Sequence, residues 1–154
     1  MELPIEIRKE GLAEELTDKY SSVCEDKITS APEIPYAKNI LEKLKEFKKS
    51  IFLSSATPLI HLYKILELRE LSKYFEGIYG APSSKNEHVR QILSITNNKL
   101  NKTVYIGDSE LDRMAAEKSG CNFIGIDSGG SRFKHKPKIL IRDFKSLFKY
   151  ITVS

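Results

Sequence analysis

Val104-Tyr-Ile-Gly-Asp-Ser-Glu-Leu-Asp-Arg-Met-Ala-Ala-Glu-Lys-Ser-Gly120 is the stretch on which the reading of this chain turns. Thr103-Val-Tyr-Ile106 is apolar, rich in β-branched and aromatic residues, and too short for a helix, so it predicts a buried strand. Gly107 then turns the chain, and Ser109 with Asp112 three residues on forms a capping pair that opens a helix. Gly120 ends that helix where a left-handed residue belongs, and Asn122-Phe-Ile-Gly-Ile126 follows as the next strand. A strand, a crossover helix and a second strand in this order make a parallel β-α-β unit.

Working outward, the same alternation extends in both directions. Upstream, Ile51-Phe-Leu-Ser54 predicts a strand, and Thr57-Pro58 predicts a helix over about Pro58–Leu71, with threonine as N-cap and proline first in the helix. Gly77–Gly80 is a short apolar run, and Ser84-Lys-Asn-Glu87 is a capping box for a helix to about Asn97. Earlier still, Tyr36–Lys48 carries Ala37, Ile40, Leu41, Leu44 and Phe47 on one helical face. Ile5 to about Lys27 has looser helical spacing, and Ala31-Pro-Glu-Ile-Pro35 separates the two helices. Downstream, the Ser128–Ser131 loop leads to a short strand, Lys138–Ile141, and a closing helix, Asp143–Ile151.

Bulk properties bound the function. A chain of 154 residues with 40% hydrophobic and 30% charged residues is sized and composed like one soluble domain. No apolar run is long enough to cross a bilayer and the first residues do not form a signal peptide, so no membrane partner and a cytoplasmic location are expected. Cys24 and Cys121 lie far apart without ligand-spaced neighbours, which argues against a disulfide framework or a zinc site. The net charge of +4 is spread over amphipathic stretches. Arg132-Phe-Lys-His-Lys-Pro-Lys138 is locally basic with an aromatic inside it, but a lysine-rich surface loop explains it equally well, so nucleic acid is not an expected partner.

In open parallel α/β sheets, ligands bind beyond the carboxyl ends of the strands. Three runs end in polar groups there: Ser54-Ser55-Ala56-Thr57, Lys85 at a helix start, and Gly107-Asp108 through Asp112. Hydroxyls and free amides at a helix start can donate to phosphate oxygens. Lys85 brings a compact positive charge for a developing phosphoryl charge, and Asp108 is a hard oxygen ligand of the kind Mg²⁺ prefers. His61 and His88 fall at surface-like helix positions and His135 in the basic loop, and none is assigned chemistry.

These features together resemble the haloacid dehalogenase superfamily of hydrolases, in its phosphoglycolate-phosphatase/phosphoglucomutase-like subgroup. Ile51–Pro58 is similar to the family's second motif, with Ser55 and Ala56 as its phosphate-binding positions and Ser54 the alternative hydroxyl one residue away. Ile78–Lys85 looks like the third motif, and Val104–Gly120 matches the fourth closely. The resemblance implies a Rossmann-like parallel sheet with helices on both faces, formed by residues 36–154, and preceded in residues 1–35 by remnant cap helices and a linker. It also implies a Mg²⁺-dependent phosphatase for a small phosphorylated metabolite, with Lys85, Asp108 and Asp112 as catalytic residues and Asp108 as metal ligand.

One element of the family pattern is missing. The first motif, a strand ending Asp-x-Asp whose first aspartate attacks phosphorus, has no counterpart: Asp18, Asp26 and Asp143 all lie in the wrong context, so the chain holds no nucleophile. The expectation is an N-terminally incomplete domain, lacking the family's central first strand, inactive alone and weakened in Mg²⁺ binding. Two buried strand edges with unpaired backbone groups would remain, to be closed by direct pairing, by a complementing N-terminal segment or by a strand-donating chain, or else left in a poorly folded product. The competing reading is a non-catalytic phosphate-binding or protein-assembly module on the same fold.

Overall fold

A computed structural model of the protein describes residues 27, 30–97, 100–127, 129 and 132–150. The expected helix over Ile5–Lys27 and Cys24 therefore fall outside the described residues, Lys27 excepted. The first described helix, α1 (Ala37–Glu46), buries Ile40 and is built from good helix formers. It is followed by β1 (Phe52–Pro58), α2 (Leu59–Leu68), β2 (Gly77–Ala81), α3 (Lys85–Ile95), β3 (Val104–Gly107), α4 (Glu110–Ser119), β4 (Asn122–Ile126) and β5 (Leu140–Ile141). The expected β-α alternation is present from β1 to β4.

All strand pairings are parallel, but they form two ladders rather than one sheet. β1 pairs with β2, and β3-β4-β5 form a second ladder. β1 and β3 have no ladder partner on their other sides among the described residues, so they do not pair directly with each other. Helices hold the two halves together. α3 packs on β1 and against α4, which packs on β3 and β4, while α1 on the other face reaches both halves. In that role Tyr74, from the turn after α2, donates to Glu42 at 3.2 Å, and Lys45 donates to the Lys73 carbonyl at 2.7 Å.

Strand alternation sorts the core onto two faces. Ile106, Ile124 and Ile126 pack with Ile40, Ile141 and Leu147 on the α1 side. Tyr105 and Phe123 pack with Val89, Leu93, Ala116 and Cys121 on the α3 and α4 side. Helices thus cover both faces of the second ladder, as the pattern of apolar residues predicts. Cys121 is a buried free thiol, and burial pushes its pKa up. Among the described residues no helix is long and apolar enough to cross a membrane.

Three local expectations need correction. Thr57 does not cap α2 by its side chain, and Pro58 is the last residue of β1, with φ −52 and ψ 137, rather than the first of the helix. A residue before proline is driven toward extended backbone, and Thr57 instead engages Ser55. The terminal strand is shorter than expected, Leu140–Ile141. The closing segment is a 3-10 helix, Phe144–Lys149, started by Asp143, whose carboxylate accepts from the Ser146 amide at 2.8 Å. Phe144, Leu147 and Phe148 then reach the core within that single tight stretch.

Candidate functional site

Asp112 is the centre of the polar cluster beyond β3. Ser109 and Asp112 form the reciprocal capping box expected from the sequence, and Gly120 closes α4 at φ 74. One Asp112 oxygen, Oδ2, accepts from the Ser109 amide at 3.2 Å and the Ser109 hydroxyl at 2.5 Å. The other, Oδ1, accepts from Lys85 Nζ at 2.5 Å and from the Tyr105 hydroxyl at 3.0 Å. The residue is only 3% exposed. A carboxylate so far from water needs a cation and several donors, and here it has both. Tyr105 stays a neutral donor, because burial and then the Asp112 charge push its pKa well above the ordinary range.

Lys85 reaches this cluster from the first turn of α3, directly after the N-cap Ser84 and within the Ser84–Glu87 capping box. A cation there is opposed by the helix dipole, and Asp112 offsets that cost. The two candidate residues, 27 positions apart, are therefore joined directly.

The paired serines of β1 are separated by strand alternation. Ser54 Oγ lies 2.8 Å from His88 Nδ1, and His88 Nε2 lies 3.1 Å from the Gly80 carbonyl. A carbonyl can only accept, so Nε2 carries a proton, and in the neutral ring the Ser54 hydroxyl donates to Nδ1. Ser54 is thereby tied to the protein interior. Ser55 instead accepts from the Thr57 amide at 3.1 Å and bonds the Thr57 hydroxyl at 3.0 Å, a turn at the strand end beside exposed Ala56. No hydrogen bond or ion pair links Ser55 to Lys85 or Asp108.

His88 is the residue that the sequence reading misplaced. It is not at the surface but 1% exposed, joining α3 to both β1 and β2 and lying beside the Tyr79 ring. The one sequence signal was its adjacency to Val89 on the apolar side of α3. His88→Leu is expected to cost about 2 kcal/mol in urea unfolding, because a buried carbonyl and hydroxyl lose their partner. Removing the Ser54 hydroxyl as well should return part of that loss, whereas a cost below about 0.5 kcal/mol would mean that water replaces the ring freely.

Asp108 sits apart from this cluster at the tip of β3, with its side chain 54% exposed and its Oδ2 3.9 Å from Arg132 Nη1. Arg132 belongs to the loop after β4, which folds back over the start of α4. The Arg132 carbonyl accepts from the Glu110 amide, and Glu110 accepts from His135 Nδ1 at 3.2 Å. Phe133 packs edge-on against Phe123, and Pro137 lies over Gly125, where a Cβ would come within 2.8 Å of it. The aromatic inside the basic stretch thus packs inward against Phe123 and is half-buried. Arg113 binds Glu110 through two nitrogens, which, against burial and with help from His135, holds the Glu110 carboxyl down to about 2.

Among the described residues no three His, Cys, Asp or Glu side chains gather to hold a metal ion. Asp108 could give Mg²⁺ one oxygen, but both Asp112 oxygens are already engaged. The described residues alone therefore do not make a Mg²⁺ site.

Comparison with known proteins supports the α/β fold. The profile of the haloacid dehalogenase-like hydrolase family matches residues 1–126. No curated protein matches the chain. A candidate phosphatase from Clostridium difficile is 26% identical with a TM-score of 0.76, over 91% of this chain and 70% of that one. A haloacid dehalogenase-like hydrolase from Streptococcus pneumoniae has a TM-score of 0.77 at 18% identity, over 94% of this chain and 71% of that one. A candidate phosphoglycolate phosphatase from Haemophilus somnus has a TM-score of 0.71 at 22% identity, over 77% of this chain and 57% of that one.

Proposed function

Because the chain belongs to the haloacid dehalogenase-like hydrolase family, we propose that residues 36–154 supply the phosphate-binding and charge-stabilising part of a Mg²⁺-dependent phosphomonoester phosphatase. Residues 1–35 are, in this reading, the remnant of a helical cap. Ser55 and the backbone amide of Ala56 hold the phosphate, and Lys85 neutralises charge that develops on it. Asp112 positions Lys85, and Asp108 is the carboxylate this chain offers to Mg²⁺. The substrate class is a small phosphorylated metabolite, and the setting is the cytoplasm.

The 154 residues contain no Asp-x-Asp, so the attacking carboxylate has to come from a further strand. The observation that carries this reading is the break between the two ladders. β1 and β3 each end a ladder, and a strand parallel to both would bring its carboxyl tip beside the residues that follow them. Such a strand, from a complementing N-terminal segment or a second chain, would satisfy both backbone edges at once.

The test is complementation. A peptide of strand-forming residues ending Asp-x-Asp-x-Thr, added with Mg²⁺ to the purified chain, should release phosphate from p-nitrophenyl phosphate, while the chain alone stays silent. A peptide that binds yet restores nothing, across several such sequences, would count against the phosphatase reading. The lack of Asp-x-Asp also supports a second reading, a non-catalytic phosphate-binding or assembly module. It predicts that phosphate raises the melting temperature while no complementing strand yields turnover.

A further inference from the structure

We infer that Tyr105 is a positioning residue, whose hydroxyl keeps the Lys85 ammonium directed out toward a bound phosphate instead of closing fully onto Asp112. The inference rests on the phosphatase reading above and adds to that site a residue on the buried side of the lysine.

One carboxylate oxygen joins three elements of the fold. Asp112 Oδ1, in the first turn of α4, accepts from Tyr105 of β3 at 3.0 Å and from Lys85 of α3 at 2.5 Å, while Ser109 occupies Oδ2. A carboxylate oxygen has two lone-pair sites, so Tyr105 fills one and leaves the lysine the other. The ammonium has three donors, and Asp112 is its one hydrogen-bond partner among the described residues, so two N–H groups remain for a ligand. The lysine is also the open side of the pair, with its side chain 22% exposed against 4% for Asp112.

The tyrosine hydroxyl suits this role because it neither leaves nor ionises. Its ring packs with Phe123 and stands against the buried cluster of Val89, Leu93, Ala116 and Cys121. Burial and then the Asp112 charge push its pKa well above the ordinary range, so it donates a proton without bringing a charge of its own. A neutral donor draws off part of the carboxylate's negative charge. Without it, Oδ1 would act on Lys85 alone and hold the ammonium harder. A lysine held in that way gives less of its charge to a phosphate.

Tyr105→Phe removes the hydroxyl and keeps the ring, and both measurements are made on the full chain without turnover. In calorimetry with inorganic phosphate, the variant should bind about fivefold more weakly than wild type, the effect of about one hydrogen bond. Acetylation of Lys85 by an N-hydroxysuccinimide ester, followed by mass spectrometry and scaled to the exposed Lys138, should slow about threefold, because an amine held harder by a carboxylate is a poorer nucleophile. Phe123→Leu, which removes the ring contact but keeps the hydroxyl, should change neither. Unchanged or faster acetylation of Lys85 in Tyr105→Phe overturns the inference, since losing a hydroxyl that only braced the fold would loosen the lysine. Equal slowing in Phe123→Leu overturns it too, and so does phosphate bound equally by wild type and Tyr105→Phe. If wild-type protein binds no phosphate, the phosphate-site reading fails, and this inference with it.

Discussion

Asp112→Ala is expected to lower the free energy of unfolding by about 3–5 kcal/mol, the cost of breaking a buried charged pair by removing one partner. The carboxylate accepts four hydrogen bonds, from Lys85, Tyr105 and the amide and hydroxyl of Ser109, and its loss leaves each donor unmatched. The lysine side chain is 22% exposed, so its ammonium can swing partly into water, which places the expected value toward the lower end of the range. Tyr105 cannot escape so easily, because its ring is packed with Phe123 inside the core. Urea denaturation of the single variants, of Lys85→Met and of the double variant measures the pair. Two costs that simply add would show that Lys85 and Asp112 act independently and that the pairing has no role in placing the lysine.

Gly107→Ala should be nearly as damaging, by about 3 kcal/mol, although it adds only a methyl group at a strand end. A Cβ at residue 107 would stand 2.3 Å from the Asp112 Cβ and 2.5 Å from its Cγ. The obstructing atoms are at the root of the aspartate rather than at a flexible tip, so the first turn of α4 has to move as a body. That movement withdraws the carboxylate from Lys85 and Tyr105 together. Gly120→Ala provides the contrast. It has a left-handed φ of 74, but an added Cβ would make only an ordinary van der Waals contact, with Leu100 Cδ1 at 3.7 Å, and should cost only about 1 kcal/mol of backbone strain. Equal losses at the two glycines would mean that conformational freedom, and not the approach of Asp112, is what residue 107 supplies.

Legibility followed the range of the interactions. Both capping boxes, the left-handed Gly120 and the run of β4 were readable because each depends on residues within one turn or one strand. The start of α2 was misread for a related reason: Thr57-Pro58 has two local interpretations, and the pairing of Pro58 with Ala81 across to β2 decided between them. Beyond its adjacency to Val89, nothing local could announce the burial of His88, since its partners lie 34 residues before it in β1 and eight before it in β2. Arg132 was seen as part of a basic stretch, but the inward Phe133 and Pro137 that leave the cations outside were not.

By itself the amino-acid sequence determined the β-α alternation, the order of the three polar strand ends and the absence of an Asp-x-Asp carboxylate, all of which are properties of neighbours along the chain. Only the tertiary structure decided that Asp112 is spent on Lys85, that Ser54 turns inward to His88, and that the ladders part between β1 and β3. Helix caps and strand periods are set by short-range hydrogen bonding and sterics, which any local segment expresses. Burial and charge pairing depend on which distant surfaces meet, and that is settled when the helices dock on the sheets and remove those groups from water.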